Sequence, residues 1–441
     1  MALCVLASIP SPFLHSPIMD CRVHFPQPSP AGPEQRQAPA MVDYDQAQAL
    51  LAQLAKSQPA PQTEFIPLSQ ARGRILAQNL KASTPRPEAD ISAMDGYALC
   101  CADIPDTGQS HVTLPLRDYI TAGECPPPHQ NGTAATILTG ARIPLGADCV
   151  IARERVEMCD GTLRLALSDI AAGKNIRREG EEFPTGSTLL TAGQKLDWRH
   201  VALLASQNMK QLAVYKQVRI GLIANGAEFA DNAQDCRAEI NTPLLTAMLE
   251  SLGLHVVTRV VGSDNRQDLQ NAVLEMEAQS DVLITTGGIS VGQTDHVLPV
   301  MEQLGASCLF RRVKIKPGKP LTVMTLGHKP VFCLPGNPGA TAICTLFFVI
   351  PFLRSLINVK SESDIPYTSD GRSSFSFSSP AETTCFVPVT YAQSGKEGVF
   401  TAVPSRGASD ILCFSHATGL LLIPAGQTLN VGDWCSAIPL N

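Results

Sequence analysis

The sequence predicts a multidomain protein of mixed α/β and β class: an α/β domain at residues 216–357, a mainly β region before it and a small β-barrel or sandwich after it. Three observations carry this. Strand and helix patterns alternate between 216 and 357, which places a parallel sheet between two helical layers. Short strands and proline-rich turns such as "GECPPPHQNG" fill residues 66–207. Four short strands with glycine or proline turns close the chain from about residue 380. A length of 441 residues also exceeds one ordinary core.

Taken in order, residues 1–40 are proline-rich and without period, and read as a disordered extension before a fold that starts near Met41. Asp43 or Asp45 can cap a helix with Ala47, Leu50, Leu51 and Leu54 on one face, ended by Pro59 and Pro61. The span 41–215 is assigned to the N-terminal linker and β region. Within 216–357, "VRIGLI", "HVVTRVV", "DVLITT", "LTVMTL" and "PVFCL" read as strands. "NTPLLTAMLESLG" reads as a helix with Thr242 as N-cap, Pro243 in its first turn and Gly253 as its stop. "NRQDLQNAVLEMEAQ" presents Leu269, Val273 and Met276 on one face, and "DHVLPVMEQLG" is a short helix. "NPGATAICTLFFVIPFLRSLI" is the closing helix, Ser361–Ser379 a serine-rich linker, and residues 365–441 the last domain.

Composition excludes several classes. The net charge of −6 gives no basic footprint for nucleic acid. The 14 cysteines show no C-x-x-C spacing and are scattered among apolar residues, as reduced core thiols are. The greasiest run, Ala342–Leu353, is shorter than the ~18 residues a span needs and contains Pro351, so it reads as a buried helix. The start of the chain lacks a basic n-region, and a cytoplasmic protein without a signal peptide is expected.

Four loops follow predicted strands: "ANGAEF", "TTGGISVGQTD", "KIKPGKP" and "LPGNP". Gly287, Gly288 and Gly292 let a ligand approach the backbone, Ser290 offers a hydroxyl, and Lys316 and Lys319 flank a Pro-Gly turn at Gly318. Pro335, Gly336, Asn337 and Pro338 start the closing helix. Each alone is matched by a plain turn; together at one edge of a parallel sheet they describe a site for an anionic ligand. Neither a Walker-type P-loop nor a G-x-G-x-x-G after the first strand occurs. In the N-terminal region Asp90, Asp95, Glu181 and Glu182 stand beside glycines, where divalent cations or acid–base groups are presented.

"SAMDGYA", "TGARIP", "NIRREGE", "TGGISVG", "KPGKP" and "LPGNP" occur in the order seen in molybdopterin molybdenumtransferases, and residues 43–440 resemble that family. The resemblance implies insertion of molybdenum from molybdate into adenylylated molybdopterin, with release of AMP and a requirement for Mg²⁺. It implies a three-layer molybdopterin-binding-type α/β domain, a C-terminal β-barrel and an elongated homodimer. The cleft would lie between the α/β domain of one subunit and the N-terminal β domain of the other. It assigns catalysis to Asp90, Glu181 and Asp295, with Asp295 and Glu181 toward the metal. Thr139 and Gly140 match the partner's lid segment and Ser409 a molybdate-holding barrel serine. The glycines, Ser290, Lys316 and Lys319 would hold phosphate and molybdate.

The chain departs from the family pattern at four places. "NGAEF" puts Asn225 and Ala227 where threonine and an acid belong, Ile91 replaces asparagine, Glu179 replaces an arginine, and "AETTCFVPVT" lacks the barrel arginine. Ala227 and the missing barrel arginine motivate a second reading, a catalytically impaired paralogue that binds molybdopterin or hands the cofactor to a molybdoenzyme or pathway partner.

Overall fold

Alternate residues of the central strands point to opposite layers. Leu283, Val331 and Cys333 face one helical layer, while Val282, Ile284, Phe332 and Leu334 face the other. The computed structural model describes residues 41–105, 109–226, 238–261, 263, 265–289, 296–357, 369–394 and 397–440. The expected extension 1–40 and the residues Ala227, Glu228, Ser290, Gly292 and Asp295 lie outside them.

The α/β sheet runs in the order His255–Val261, Arg219–Asn225, Val282–Thr286, Lys329–Leu334, Thr322–Leu326, Ser307–Arg311. The first four are parallel. Thr322–Leu326 runs antiparallel to both its neighbours, so the sheet is mixed and not all parallel as expected. The reason is local. Only Gly327 and His328 separate Leu326 from its partner Lys329, and so short a link can only fold back. Ser307–Arg311 is an additional edge strand that the periodicity did not reveal.

Helices Asn241–Glu250 and the closing helix cover one face, and Arg266–Gln279 with Val297–Gln303 the other. Asn265 caps Arg266–Gln279 by accepting from Gln267 N at 2.8 Å, and Leu269, Val273 and Met276 are buried as their spacing predicts. Thr242 is not the cap of its helix, which starts at Asn241. The Glu239 carboxylate accepts from the Asn241 and Thr242 amides at 2.8 and 2.9 Å, and an anion satisfies the free N–H groups better than a threonine inside the first turn. The N-terminal helix Tyr44–Ser57 is capped by Asp43 in a capping box with Gln46. It buries Ala47, Leu51 and Leu54 against the closing helix, each leucine contributing about 1.5–3 kcal/mol.

The closing helix is continuous from Pro338 to Leu356, with a π turn at Thr345–Val349. Pro351 cannot donate to the carbonyl four residues back, and Phe347 O instead accepts from Gln48 Nε2 at 2.6 Å. Its 19 residues are long and apolar enough to cross a membrane, with an 18-residue stretch of mean hydropathy 1.7 of which 72% is buried in this core, which accounts for its composition. Burial pushes the Cys333 thiol up to about 12 and raises that of Cys344, as expected of inert core cysteines.

The N-terminal region is built on a six-stranded sheet, in the order Cys149–Ala152, Gly96–Leu99, Ala134–Ile137, His111–Ile120, Thr162–Ala166, Val156–Cys159. The C-terminal part is a closed barrel: Thr384–Ser394, Glu397–Ala402, Ser369–Ser373, Trp434–Pro439 and Gly419–Ile423, which pairs back on Thr384–Ser394. Closure leaves no exposed sheet edge among these five. Ser369–Ser373 was expected to be linker. It is a strand that pairs with Trp434–Pro439 and Glu397–Ala402, and its inward positions are Gly371, where a Cβ would not fit, and Ser373, a pattern that carries no hydrophobic signal.

Candidate active site

Three parallel strands end at one edge, and their last residues touch. Asn225 ends the first, Gly287 and Gly288 follow the second, and Pro335 and Gly336 follow the third. Gly287 has φ +82°, and a Cβ there would stand 2.4 Å from Asn225 O. A Cβ on Gly336 would stand 3.5 Å from Gly287 Cα. No Cβ fits at Gly287, whereas one at Gly336 would be in ordinary contact, so the strand ends form a cradle made largely of backbone.

The neighbouring loops complete it. Asn337 starts helix Pro338–Cys344, and its Oδ1 accepts from Ser409 Oγ at 2.9 Å, so the barrel loop reaches the cradle. Ala408 O also accepts from Gly339 N at 3.0 Å. Thr341 Oγ1 donates to Pro335 O at 2.5 Å and pins the turn before the helix. The "KPGKP" turn lies at the far end of that helix, where Gly318 O accepts from Cys344 Sγ at 3.7 Å. A helix of this length spans ~10 Å. Lys316 belongs to the two-residue strand Ile315–Lys316, which pairs with Thr384 and Cys385 of the barrel. Lys316 and Lys319 are exposed, and neither meets a carboxylate in an ion pair among the described residues. Two ammonium groups on a braced turn therefore remain available to an anion.

Asp90, Glu181, Thr139 and Gly140 form a separate group on the N-terminal region. Asp90 accepts from Arg178 Nη1 at 2.5 Å and from Glu179 N at 2.8 Å, while Glu181 accepts from Arg178 N at 2.9 Å. Glu182 bridges Arg86 and Arg177 at 2.8 and 2.6 Å. The hydrogen bond from Arg177 comes first in holding the Glu182 carboxyl below its usual value. Gly140 N donates to Ser92 O at 2.8 Å. Among the described residues, none of Asp90, Thr139 or Glu181 makes a hydrogen bond or ion pair to the cradle in the same chain. Among the described residues no three His, Cys, Asp or Glu side chains converge as a metal site, so Glu181 has no such partners there.

Asp95 accepts from both the amide and the hydroxyl of Thr139, each at 2.8 Å. These bonds, the backbone one first, hold its carboxyl below the ordinary range. A lowered folded pKa stabilises above the unfolded value of about 4, and the contribution is lost as pH falls through the folded value. Thr139→Val should therefore raise the Asp95 titration midpoint in a carboxyl NMR titration, with any stability difference present only above that window. An unmoved midpoint would deny the hydroxyl its role.

Comparison with known proteins decides the family. Residues 42–207 match the MoeA N-terminal region (domain I and II), 221–355 the probable molybdopterin binding domain and 370–440 the MoeA C-terminal region (domain IV). The chain belongs to the MoeA family. A molybdopterin molybdenumtransferase of Synechococcus elongatus is 32% identical over 390 residues, covering 86% of this chain and 94% of that protein. One from Haemophilus influenzae is 32% identical over 341 residues, covering 75% and 81%. A molybdopterin biosynthesis MoeA protein from Pyrococcus horikoshii shares the MoeA fold at TM-score 0.75 and 24% identity, over 91% of this chain and 100% of that one.

Sequence reasoning about this MoeA-family site passed over two residues. Glu239 and Asn241 lie at a helix start, and a polar residue there reads as an ordinary cap. Only the fold reveals that Asn241 Nδ2 reaches Gly336 O, at 2.9 Å.

Proposed function

We propose that this MoeA-family protein inserts molybdenum from molybdate into adenylylated molybdopterin, releasing AMP and yielding molybdenum cofactor. The observation that carries the reading is the match to molybdopterin molybdenumtransferases across nearly their whole length, 94% in the Synechococcus protein. The geometry is compatible with it: backbone strand ends, and two lysines without carboxylate partners among the described residues at the far end of the helix that starts there, suit an oxyanion substrate.

In this reading water attacks phosphorus, the P–O bond to AMP breaks, and the dithiolene sulfurs displace oxygen ligands of molybdate. Lys316 and Lys319 neutralise molybdate and phosphate charge. Ser409 turns its hydroxyl from Asn337 Oδ1 to donate to molybdate. Amides at Gly287 and Gly288, with Ser290 and Gly292, hold the phosphates, while Gly318, Pro335, Gly336 and Pro338 shape the walls. Asp90, Glu181 and Asp295 are the acids of the reaction. The described residues do not form a magnesium site; in this reading Asp295 and Glu181 would hold Mg²⁺.

A homodimer belongs to the same proposal, because Asp90, Thr139 and Glu181 make no hydrogen bond to the cradle of their own chain among the described residues. A second chain would supply them. A cleft of about 1510 Å³, lined by Tyr44, Leu244, Met248, Leu252, Phe414 and Ile438, offers apolar surface for such a partner. Light scattering should return twice the 47.0 kDa chain mass. A monomer that remains active would remove the shared cleft. The proposal places the protein in the cytoplasm, where a molybdoenzyme or another protein of the pathway receives the cofactor.

The deciding assay mixes purified protein, adenylylated molybdopterin, Mg²⁺ and micromolar molybdate. AMP release and reconstitution of an apo-molybdoenzyme are the expected results. Binding of the adenylylated pterin without AMP release would instead leave the impaired-paralogue reading.

A further inference from the structure

We propose that Arg266, held by His296, is a cationic arm at the rim of the cradle that takes a phosphoryl group of the ligand. Two elements bring it there. Strand His255–Val261 ends beside Asn225, where Gly226 N donates to Val261 O at 3.1 Å, and Arg266 opens the helix that follows, Arg266–Gln279. His296 precedes helix Val297–Gln303, whose first residue stands against the second cradle glycine. Val297 N donates to Gly288 O at 3.4 Å, and a Cβ on Gly288 would meet Val297 Cγ2 at 2.9 Å. Arg266 Nε donates to His296 Nδ1 at 3.3 Å, which ties the arginine to the residue next to that contact.

With Nε engaged, the Nη1 and Nη2 edge of the guanidinium remains, a fork that matches two oxygens of a phosphate. Arg266 is exposed and meets no carboxylate in an ion pair among the described residues. The acid in its own first turn, Asp268, accepts instead from Ser263 Oγ at 2.6 Å. The position also runs against a local rule. Arg266 is the first residue of a 14-residue helix, at the positive end of the dipole, where acids are favoured and cations are not. Local costs of this kind gather at functional sites. An anion bound there gains from the guanidinium and from the dipole together.

The arm serves a different anion from the one at Ser409 and the lysines. Arg266 follows the first strand in the row of four parallel strands, and Asn337 follows the fourth. Three spacings of ~4.8 Å put those strand ends roughly 14 Å apart. The proposed substrate, on whose reaction this choice of ligand rests, carries its phosphates apart from the dithiolene that takes molybdenum. Calorimetric titration of the full-length protein with AMP and with inorganic pyrophosphate tests the arm. Wild type should bind both, and excess molybdate should not displace AMP. Arg266→Ala should weaken each by about tenfold or more, the loss of a charge-assisted pair. It should also flatten the salt dependence of binding, which a purely structural role would not do. Arg266→Lys keeps the charge without the fork and should recover part of the loss. His296 is a positioning residue: His296→Gln keeps an acceptor for Nε and should bind within about threefold of wild type, and His296→Leu should bind more weakly than that. This pair decides the matter if the alanine variant melts early.

AMP and pyrophosphate affinities within about twofold of wild type in Arg266→Ala would overturn the arm. So would a wild type that binds neither probe, or AMP displaced by molybdate. Equal binding by His296→Leu and His296→Gln would remove the role of His296. The two proposals fail separately. AMP release with an unchanged KM for the adenylylated pterin in Arg266→Ala removes the arm and leaves the reaction; Arg266-dependent pyrophosphate binding in a protein that releases no AMP does the reverse.

Discussion

Gly287→Ala is expected to destabilise the protein by about 2–4 kcal/mol and to abolish ligand binding at the cradle. Two effects add. At φ +82° a side chain costs ~1–2 kcal/mol of backbone strain. The new Cβ would also meet Asn225 O at 2.4 Å, and a backbone carbonyl at the end of a buried strand cannot swing aside as a flexible side chain could. The strand ends must part, and the cradle opens with them. Gly305→Ala is the control. It has φ +86° with nothing within 4 Å, so only the strain of ~1–2 kcal/mol applies. Thermal or urea melts of the two variants side by side make the comparison. Equal losses would mean that the contact between the strand ends is not tight.

Lys316→Ala is expected to lower turnover by about 10²–10³-fold, the usual consequence of removing one preorganised charge at a developing anion. The fold should survive, because the side chain is exposed and bound in no ion pair among the described residues. Its place is nevertheless well defined, since its backbone pairs with Cys385 of the barrel. Lys316→Arg keeps the charge on a longer, planar group and should recover part of the loss. The check is AMP release against molybdate concentration. Turnover within twofold of wild type for Lys316→Ala would place the anion elsewhere in the cradle.

Much of the architecture was readable from residue order, for reasons that differ by element. Leu269, Val273 and Met276 are buried as spaced, because a helix of that length on a sheet must turn one stripe inward. The central strands are continuous apolar runs because both faces are covered. Where the reading failed, a local rule had been outweighed by a neighbour. Thr242 lost its capping role to a carboxylate three residues earlier. Thr322–Leu326 reversed direction because its link to the next strand is two residues long.

The sequence alone determined the fold class, the helix faces and the motif order that points to the MoeA family, since these depend on local periodicity and on residue types at fixed spacing. Tertiary structure alone decided which loops meet. It brought Ser409 across 72 positions to Asn337, tied Lys316 to the barrel, and joined Asp90 and Glu181 to Arg178. It also left two asparagine oxygens buried without donors. Contacts between distant segments are set by how layers pack, and packing has no counterpart in the spacing along a chain.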